Sequence, residues 1–410
     1  MDSEPSDPAT GLYVHVPLCT DKCLYCDFYS VPRSAVPLRD QEELVRQIGL
    51  QASTLLSQLE GSVRTIFVGG GTPSALPGRA VSTLLRSLPG AAAEEWTVEA
   101  NPETIDAPFL EACRESGVTR LSVGVQSTDD RLLATLRRRA RRADVERTLK
   151  LLDSSWGGEL SFDLITGIPG QKPTSVVDDI GVLAGSGCGH FSLYQLTCEP
   201  DTPLARSVAE GTIRLNEPEQ DEELWFAGVA ELRRRGFQHY EISNFCREGK
   251  ECRHNLRYWR MEPYLGVGPA AVSTLPAARV GPVLRRQSAT GILRLTNPRS
   301  VTRYLQGAPA LWGIEVEEIA PRDFLLETLM MGLRLKDGLE ARGFHHRFGA
   351  DLDELAPGVW NRWVSRGLAL RAADRLALTD SGRFVLDGLL IELANDLQSR
   401  ELSGLSVSWP

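Results

Sequence analysis

Six short runs of apolar and β-branched residues recur along the first part of the chain, at Leu12–Pro17, Thr65–Gly70, Trp96–Ala100, Arg120–Gln126, Leu160–Ile165 and His190–Leu196. Between and after them lie six segments with helical patterning, Asp40–Leu59, Ala80–Leu88, Ile105–Ser116, Asp129–Asp153, Thr174–Ala184 and Glu217–Arg235. Strands that alternate with helices pair in parallel, because each helix carries the chain back over the sheet to start the next strand. This rhythm leaves two fold options, a partial (β/α) barrel or an open doubly wound sheet. Polar residues fall just after the C-terminal end of each strand, which is where both architectures place their sites.

After Arg235 the rhythm stops. Residues 236–312 mix short strands, aromatic residues and Gly/Pro turns. From residue 313 helical patterning returns at Arg322–Leu335, Asp351–Arg366 and Gly382–Asn395, with a Leu-rich hairpin-like piece at Leu368–Thr379. That order predicts a small helical, winged-helix-like domain over 313–410, and residues 1–10, acidic and polar, are expected to be disordered. The 410 residues carry a net charge of −9, which argues against a nucleic-acid partner. The arginine run from Arg137 to Arg142, interrupted by Ala140, reads first as a solvated helix face. The N-terminus lacks the pattern of a signal peptide, and no apolar run approaches the ~18 residues of a membrane span. Of eight cysteines only three cluster, the usage of a reducing compartment, so a cytoplasmic location is expected.

The clustered three are Cys19, Cys23 and Cys26, spaced C-x3-C-x2-C directly after the first strand. Three thiolates on one short loop can hold three irons of a [4Fe–4S] cluster and leave the fourth open to a small molecule, unlike the four-cysteine ferredoxin runs. Zinc is the other reading, but it wants a fourth ligand, usually from a second knuckle, and none sits nearby in the sequence.

The other strand ends each admit two readings. Gly69-Gly70-Gly71-Thr72 is either a tight turn or a place where backbone approaches a ligand without an intervening Cβ. Glu99 is either a cap for the helix that follows or a carboxylate facing a cation. Gln126 ends its strand, and Arg138 lies twelve residues on, able to grip a carboxylate with its two-pronged guanidinium. Asp163 stands inside an apolar strand, a costly place for a carboxylate without a partner; a pair of ribose hydroxyls would serve.

Taken in order, the segments YVHVPLC with its cysteine loop, GGTP, VEANPE, GVQS, a basic turn, FDLITGIPGQ and SLYQLTCEPDTP resemble the oxygen-independent coproporphyrinogen III oxidase family of radical S-adenosylmethionine (SAM) proteins, over Gly11 to about Asn395. The resemblance implies an α/β fold: a partial (β/α)6 radical SAM barrel over 11–235, a mixed α/β extension over 236–312, and the C-terminal winged-helix-like domain. It implies that Cys19, Cys23 and Cys26 bind the cluster. Tyr13 and Phe28 would lie beside SAM, with Gly70, Gly71 and Thr72 as a backbone cradle and Glu99, Gln126, Arg138 and Asp163 completing the pocket. The true oxidases carry a fourth cysteine where this chain has Phe28, and a longer N-terminal arm. With ECRHNLRYW, similar to an HNxxYW signature, these features resemble the HemW-type haem chaperone branch. His254 is then the candidate haem ligand, with a hydrogen-bonded loop histidine held by Asn255 as the other reading and Cys252 as a further candidate ligand. The implied partners are haem or porphyrin, a reduced flavodoxin- or ferredoxin-like electron donor, and haem acceptor proteins. The alternative activity is oxidative decarboxylation of coproporphyrinogen III. Two departures from the family pattern, Arg137–Ala140 in place of a Gly and His, and Val272 where a His often sits, bear on substrate contacts and leave the cluster ligands intact.

Overall fold

The computed structural model describes residues 9–284, 291–398, 400 and 405–409. The expected disorder at residues 1–8 falls outside them, whereas Ala9 and Thr10 already belong to the first strand. The six sequence-predicted strands form as β1 (Ala9–Val16), β2 (Ser62–Gly70), β3 (Glu95–Ala100), β4 (Arg120–Gln126), β5 (Glu159–Thr166) and β6 (His190–Gln195). They pair in parallel in sequence order. The crossovers are helical: α1 (Leu38–Leu56), α2 (Gly78–Arg86), α3 (Ala107–Ser116), α4 (Asp130–Thr135) with α5 (Arg142–Ser155), and α6 (Pro173–Ala184), followed after β6 by α7 (Pro203–Ala209) and α8 (Pro218–Arg234).

The ring stays open. Beyond β6 the sheet continues through β8 (Asn244–Cys246) to β7 (Gln238–His239), both antiparallel. On the other side, β9 (Tyr264–Val267) joins β1 in parallel, and β10 (Val272–Pro276), β11 (Ile292–Thr296) and β12 (Glu315–Ile319) extend the sheet antiparallel. The 236–312 stretch, which also holds the helices α9 (Arg253–Trp259) and α10 (Val301–Gly307), is therefore continuous with the barrel sheet rather than a separate layer.

Side chains alternate across a strand, and the alternation sorts the chemistry. Leu12, Val14 and Val16 of β1, Ile66 and Val68 of β2, and Trp96 and Val98 of β3 point outward into one large core shared with the helices. The inner faces of β1–β6 carry Tyr13, His15, Thr65, Glu95, Glu99, Arg120, Ser122, Asp163 and His190, so the barrel interior is largely polar. A second core, built on Phe324, Phe348, Trp360, Trp363 and Leu393, holds the C-terminal part. There α11 (Pro321–Gly332), α12 (Ala341–Phe348), α13 (Leu352–Leu355), α14 (Pro357–Ser365), α15 (Asp380–Phe384) and α16 (Leu386–Gln398) surround a three-stranded antiparallel sheet of β13 (Leu339–Glu340), β14 (Ala369–Ala372) and β15 (Arg375–Leu378). The helix expected over 351–366 is split at Ala356, because Pro357 has no N–H to continue the ladder and starts a new helix instead.

Candidate active site

At the C-terminal ends of β1–β6 a cavity of about 390 Å³ opens. One wall is the cysteine loop. Leu18–Cys19 pairs in parallel with Val31–Pro32 and closes the loop at its base. Its middle is pinned by Leu24, whose N–H donates to the Leu136 carbonyl (3.2 Å) and whose carbonyl accepts from Leu204 N–H (2.8 Å). Cys19, Cys23 and Cys26 all line the cavity, and Phe28, 60 % exposed, stands at its rim. Burial pushes the Cys26 thiol up to about 11 and raises Cys19 as well; hydrogen bonds from the Phe28 backbone and from Thr72, respectively, oppose the shift. Thr72 Oγ1 donates to Cys19 Sγ at 3.6 Å. Among the described residues no three His, Cys, Asp or Glu side chains are gathered to a metal-binding geometry; thiols converge on a metal as they give up their protons to it.

The glycines at the end of β2 and just past it act first on packing. A Cβ on Gly69 would fall 2.6 Å from the Glu99 carboxyl, one on Gly70 would fall 2.4 Å from the His15 ring, and one on Gly71 would fall 2.6 Å from the Val16 carbonyl oxygen. Gly70 also has φ +98°, open to glycine at no cost. The turn thus lies directly against β1 and the cysteine loop, with Gly71 N–H donating to Val16 O (2.8 Å) and Thr72 N–H to Leu18 O (2.9 Å).

Opposite the loop stand two carboxyls. Burial, with repulsion from Asp163, raises Glu99 to about 8, against one opposing hydrogen bond from Gly70 N–H (3.1 Å). Asp163 is also raised, by burial first; hydrogen bonds from Ser192 and Ser122 and the charge of Arg138 resist. Two carboxyls whose ionisation is disfavoured suit a ligand that brings positive charge with it. Gln126 ends β4 at a break in register, with φ +68°, a backbone state that non-glycine residues rarely adopt and that concentrates at functional positions.

Arg138 is fully enclosed between the loop and β4. It donates to Cys23 Sγ (3.3 Å), Asn101 Oδ1 (2.9 Å) and the Gly124 carbonyl (2.6 Å). Burial works against its charge, but the facing Tyr25, Cys23 and Glu103 hold its pKa above the usual value. Its Nε has no partner among the described residues. The side chain therefore joins loop to strand, with its Nε–H left over.

Two expected residues lie elsewhere. Tyr13 sits deeper in the barrel, its hydroxyl 2.9 Å from His15 Nδ1, while His15 Nε2 meets the Tyr29 carbonyl oxygen at 2.8 Å. His254 lies at the far end of the strands, 0 % exposed, on α9 (Arg253–Trp259). Its Nδ1 bonds Thr65 Oγ1 and its Nε2 bonds the Tyr258 hydroxyl, both at 2.9 Å, and its ring stacks on Phe67. The reading of a histidine presenting a nitrogen to haem meets a ring that is locked on both sides, by Thr65 and Tyr258 rather than by Asn255. The physical reason is its position on α9, which closes the barrel floor. Cys252 is buried there too, its Sγ 3.5 Å from Glu95 Oε1.

Sequence reasoning also passed over residues that the cavity brings in. Tyr194 projects into it from the end of β6, within the quoted SLYQLT segment, and Asn101 links Arg138 to Thr72 from within VEANPE. A polar side chain within one step of a strand's last residue was the available signal for both.

A model of the radical SAM superfamily matches residues 13–183, and one of the HemN C-terminal domain matches 319–385. The haem chaperone HemW of Escherichia coli K12 is 32% identical over 394 residues, covering 93% of this chain and 97% of its own length. The chain belongs to the HemW family. A bovine mitochondrial relative, radical S-adenosyl methionine domain-containing protein 1, is 33% identical, covering 96% of this chain and 90% of its own length. The E. coli coproporphyrinogen III oxidase HemN, a radical SAM enzyme, has the same fold, with a TM-score of 0.74 at 19% identity over 95% of this chain and 91% of its own. Membership of the radical SAM superfamily implies a [4Fe–4S] cluster and SAM, and the cavity's donor set fits both: three thiols on one loop, two carboxyls short of positive charge, and a spare guanidinium N–H.

Proposed function

We propose that this HemW-family chain is a haem chaperone that holds the cluster on Cys19, Cys23 and Cys26, seats SAM in the same cavity, binds haem, and passes haem to acceptor proteins such as respiratory cytochromes. Cluster and SAM together supply one-electron cleavage of a carbon–sulfur bond. The chain's own share is position and environment. Glu99 and Asp163 would face the cationic part of SAM, whose charge would favour their ionised forms. Gly70 and Gly71 keep the backbone close to the loop, and Arg138 fixes Cys23.

The observation that carries the haem reading is a second cavity, of about 890 Å³, beneath the barrel between α9 and the C-terminal domain. Leu256, Trp259, Leu335 and Phe344 give it apolar walls. Arg257 and Arg347 reach it with pKa values lowered by burial, and Arg260 lines it as well. Arg257 already pairs with Glu262 (3.1 Å), which leaves Arg260 and Arg347 to suit propionates, and the walls suit the flat ring. His254 remains our proposed iron ligand. Burial keeps it neutral, its pKa down at about 3, and neutral imidazole is the form that binds iron. Ligation would exchange the Tyr258 hydroxyl for haem iron at Nε2.

Haem titration followed by absorbance tests the proposal. Arg260→Ala with Arg347→Ala is expected to weaken haem binding about tenfold, in line with losing charge-assisted bonds, with iron and sulfide content unchanged. Cys23→Ser is expected to abolish the cluster and spare haem binding. An unchanged haem spectrum in His254→Ala would remove His254 as ligand, and unchanged affinity in the double arginine variant would remove the lower cavity as the haem site.

A further inference from the structure

The polar interior of the barrel holds one row of a different kind. Alternation along a strand turns Tyr13 and His15 of β1, and Thr65 and Phe67 of β2, to the inside. A chain of rings then runs up the barrel. His254 lies 5.4 Å from Phe67 between ring centroids, Phe67 6.4 Å from Tyr13, Tyr13 5.8 Å from His15, and His15 6.4 Å from Tyr29. Each step is within the range at which rings touch. The lower end of the row is the proposed haem ligand. The upper end is on the cysteine loop, where Tyr29 follows Cys26 by three positions. The His15 ring also lies directly under Gly70, and Thr72, two residues on, donates to Cys19 Sγ. Hydrogen bonds fix the upper rings. A carbonyl only accepts, so His15 Nε2–H donates to the Tyr29 carbonyl (2.8 Å) and Nδ1 accepts from the Tyr13 hydroxyl (2.9 Å). Burial keeps the row uncharged, raising the Tyr13 hydroxyl and lowering His15. The opposite side of the barrel differs: β5 turns Ser161 and Asp163 inward, and on β6 Ser192 parts His190 from Tyr194. Packing of the large core does not call for the row either, because that core lies on the outer face of these strands.

We infer that the row Tyr29, His15, Tyr13, Phe67 and His254 is an electron path through the barrel, by which the cluster end reduces haem iron at the floor. The inference rests on the cluster and haem readings given above. The cluster, once reduced by a one-electron donor, gives up one electron. Haem iron takes it and passes from ferric to ferrous. The rings are the medium and neither gain nor lose charge, and no proton or bond changes hands. Electron tunnelling falls off with distance, and faster across a void than through packed atoms, so touching rings speed the transfer and a missing ring slows it. Reduction of haem iron is an activity separate from cleavage of SAM.

Zinc protoporphyrin in place of haem tests the path with light. Zinc also takes an imidazole ligand, and the excited porphyrin passes an electron to the oxidised cluster over the same rings in reverse. The lifetime of the porphyrin triplet and the absorption of the porphyrin cation are followed in the full chain with and without its cluster, and in Phe67→Leu and Phe67→Tyr. The cluster is expected to shorten the triplet lifetime with formation of the cation. Phe67→Leu is expected to slow that transfer several-fold, and Phe67→Tyr, which keeps the ring, to leave it as in the wild type, at equal iron, sulfide and porphyrin content. Equal rates in Phe67→Leu and wild type would overturn the path, as would a triplet lifetime that the cluster does not change. Should Phe67→Leu fail to fold, Tyr13→Leu interrupts the same row and is judged by the same rate. Failure of the wild-type chain to bind zinc protoporphyrin would overturn the haem site and the path with it. Failure to take up iron and sulfide would do the same to the cluster reading. A chain loaded with both that forms no cation counts against the path alone.

Discussion

The two ends of the barrel use the same strands and similar residues to opposite effect. At the upper end, Glu99 of β3 and Asp163 of β5 face a cavity, with ionisation disfavoured and few partners. At the floor, Glu95 of β3, four residues from Glu99, is fully engaged. It accepts from Arg120 Nη2 (3.2 Å) and from the backbone N–H groups of Arg253 (3.0 Å) and His254 (2.9 Å), the first of α9. Arg120 in turn donates to the carbonyls of Lys250 and Glu251. One carboxylate thus caps α9 from a neighbouring strand, since Cys252 at the N-cap makes no side-chain bond. Polar groups that satisfy one another hold a structure together; polar groups left short of partners are available to a ligand.

The largest effect that could break this contrast is at the floor. Glu95 and Arg120 are each 6 % exposed, and removing one partner of such a pair leaves a buried charge. Glu95→Ala is therefore expected to cost about 3–5 kcal/mol in denaturant unfolding. Equal loss on Glu99→Ala would show that the two ends do not differ.

The next effect sharpens the contrast. With Glu99 raised from 4.5 to about 8, the folded chain binds a proton there that the unfolded chain releases, so this residue's contribution to stability is full below pH 4.5 and falls as pH climbs toward 8. Glu99→Gln is expected to raise the melting temperature of the cluster-free chain at pH 8 by a few degrees while weakening SAM binding about tenfold, one lost charge-assisted contact. A variant that binds SAM as the wild type does would sever Glu99 from the ligand.

The smallest effect comes from the floor again, with the opposite sign in pH. His254, at about 3, and His239, at about 4, are both depressed from 6.5 by burial. The unfolded chain then binds more protons below pH 6.5, and stability falls as pH drops through that window. Melting followed from pH 7 to 5 is expected to show a decline that His254→Gln makes shallower. A slope unchanged by that substitution would mean that His254 is not closed in as described.

Much of the upper end was legible in advance because it is local in sequence. The cysteine loop, the glycine turn, Glu99 and Gln126 each sit at a strand end, and strand ends follow from the periodicity; Asp163 stands out as a carboxylate inside an apolar strand. Arg138 was legible as a position but not as a contact, since its bond to Cys23 spans 115 residues. The floor was hidden for the same reason. Nothing near Glu95 in the chain announces that it caps α9, 158 residues later, and nothing within the HNLRYW segment announces that its helix closes the barrel floor.

The order of strands and helices, the grouping of three cysteines and the side of the sheet on which polar residues collect are properties of neighbours in the chain, and the sequence by itself determined them. Which polar residues find partners and which stay open depends on segments more than a hundred residues apart meeting inside the barrel. Only the tertiary structure decided that Glu99 stays open while Glu95 is closed, because the two differ in what folds against them and not in what they are.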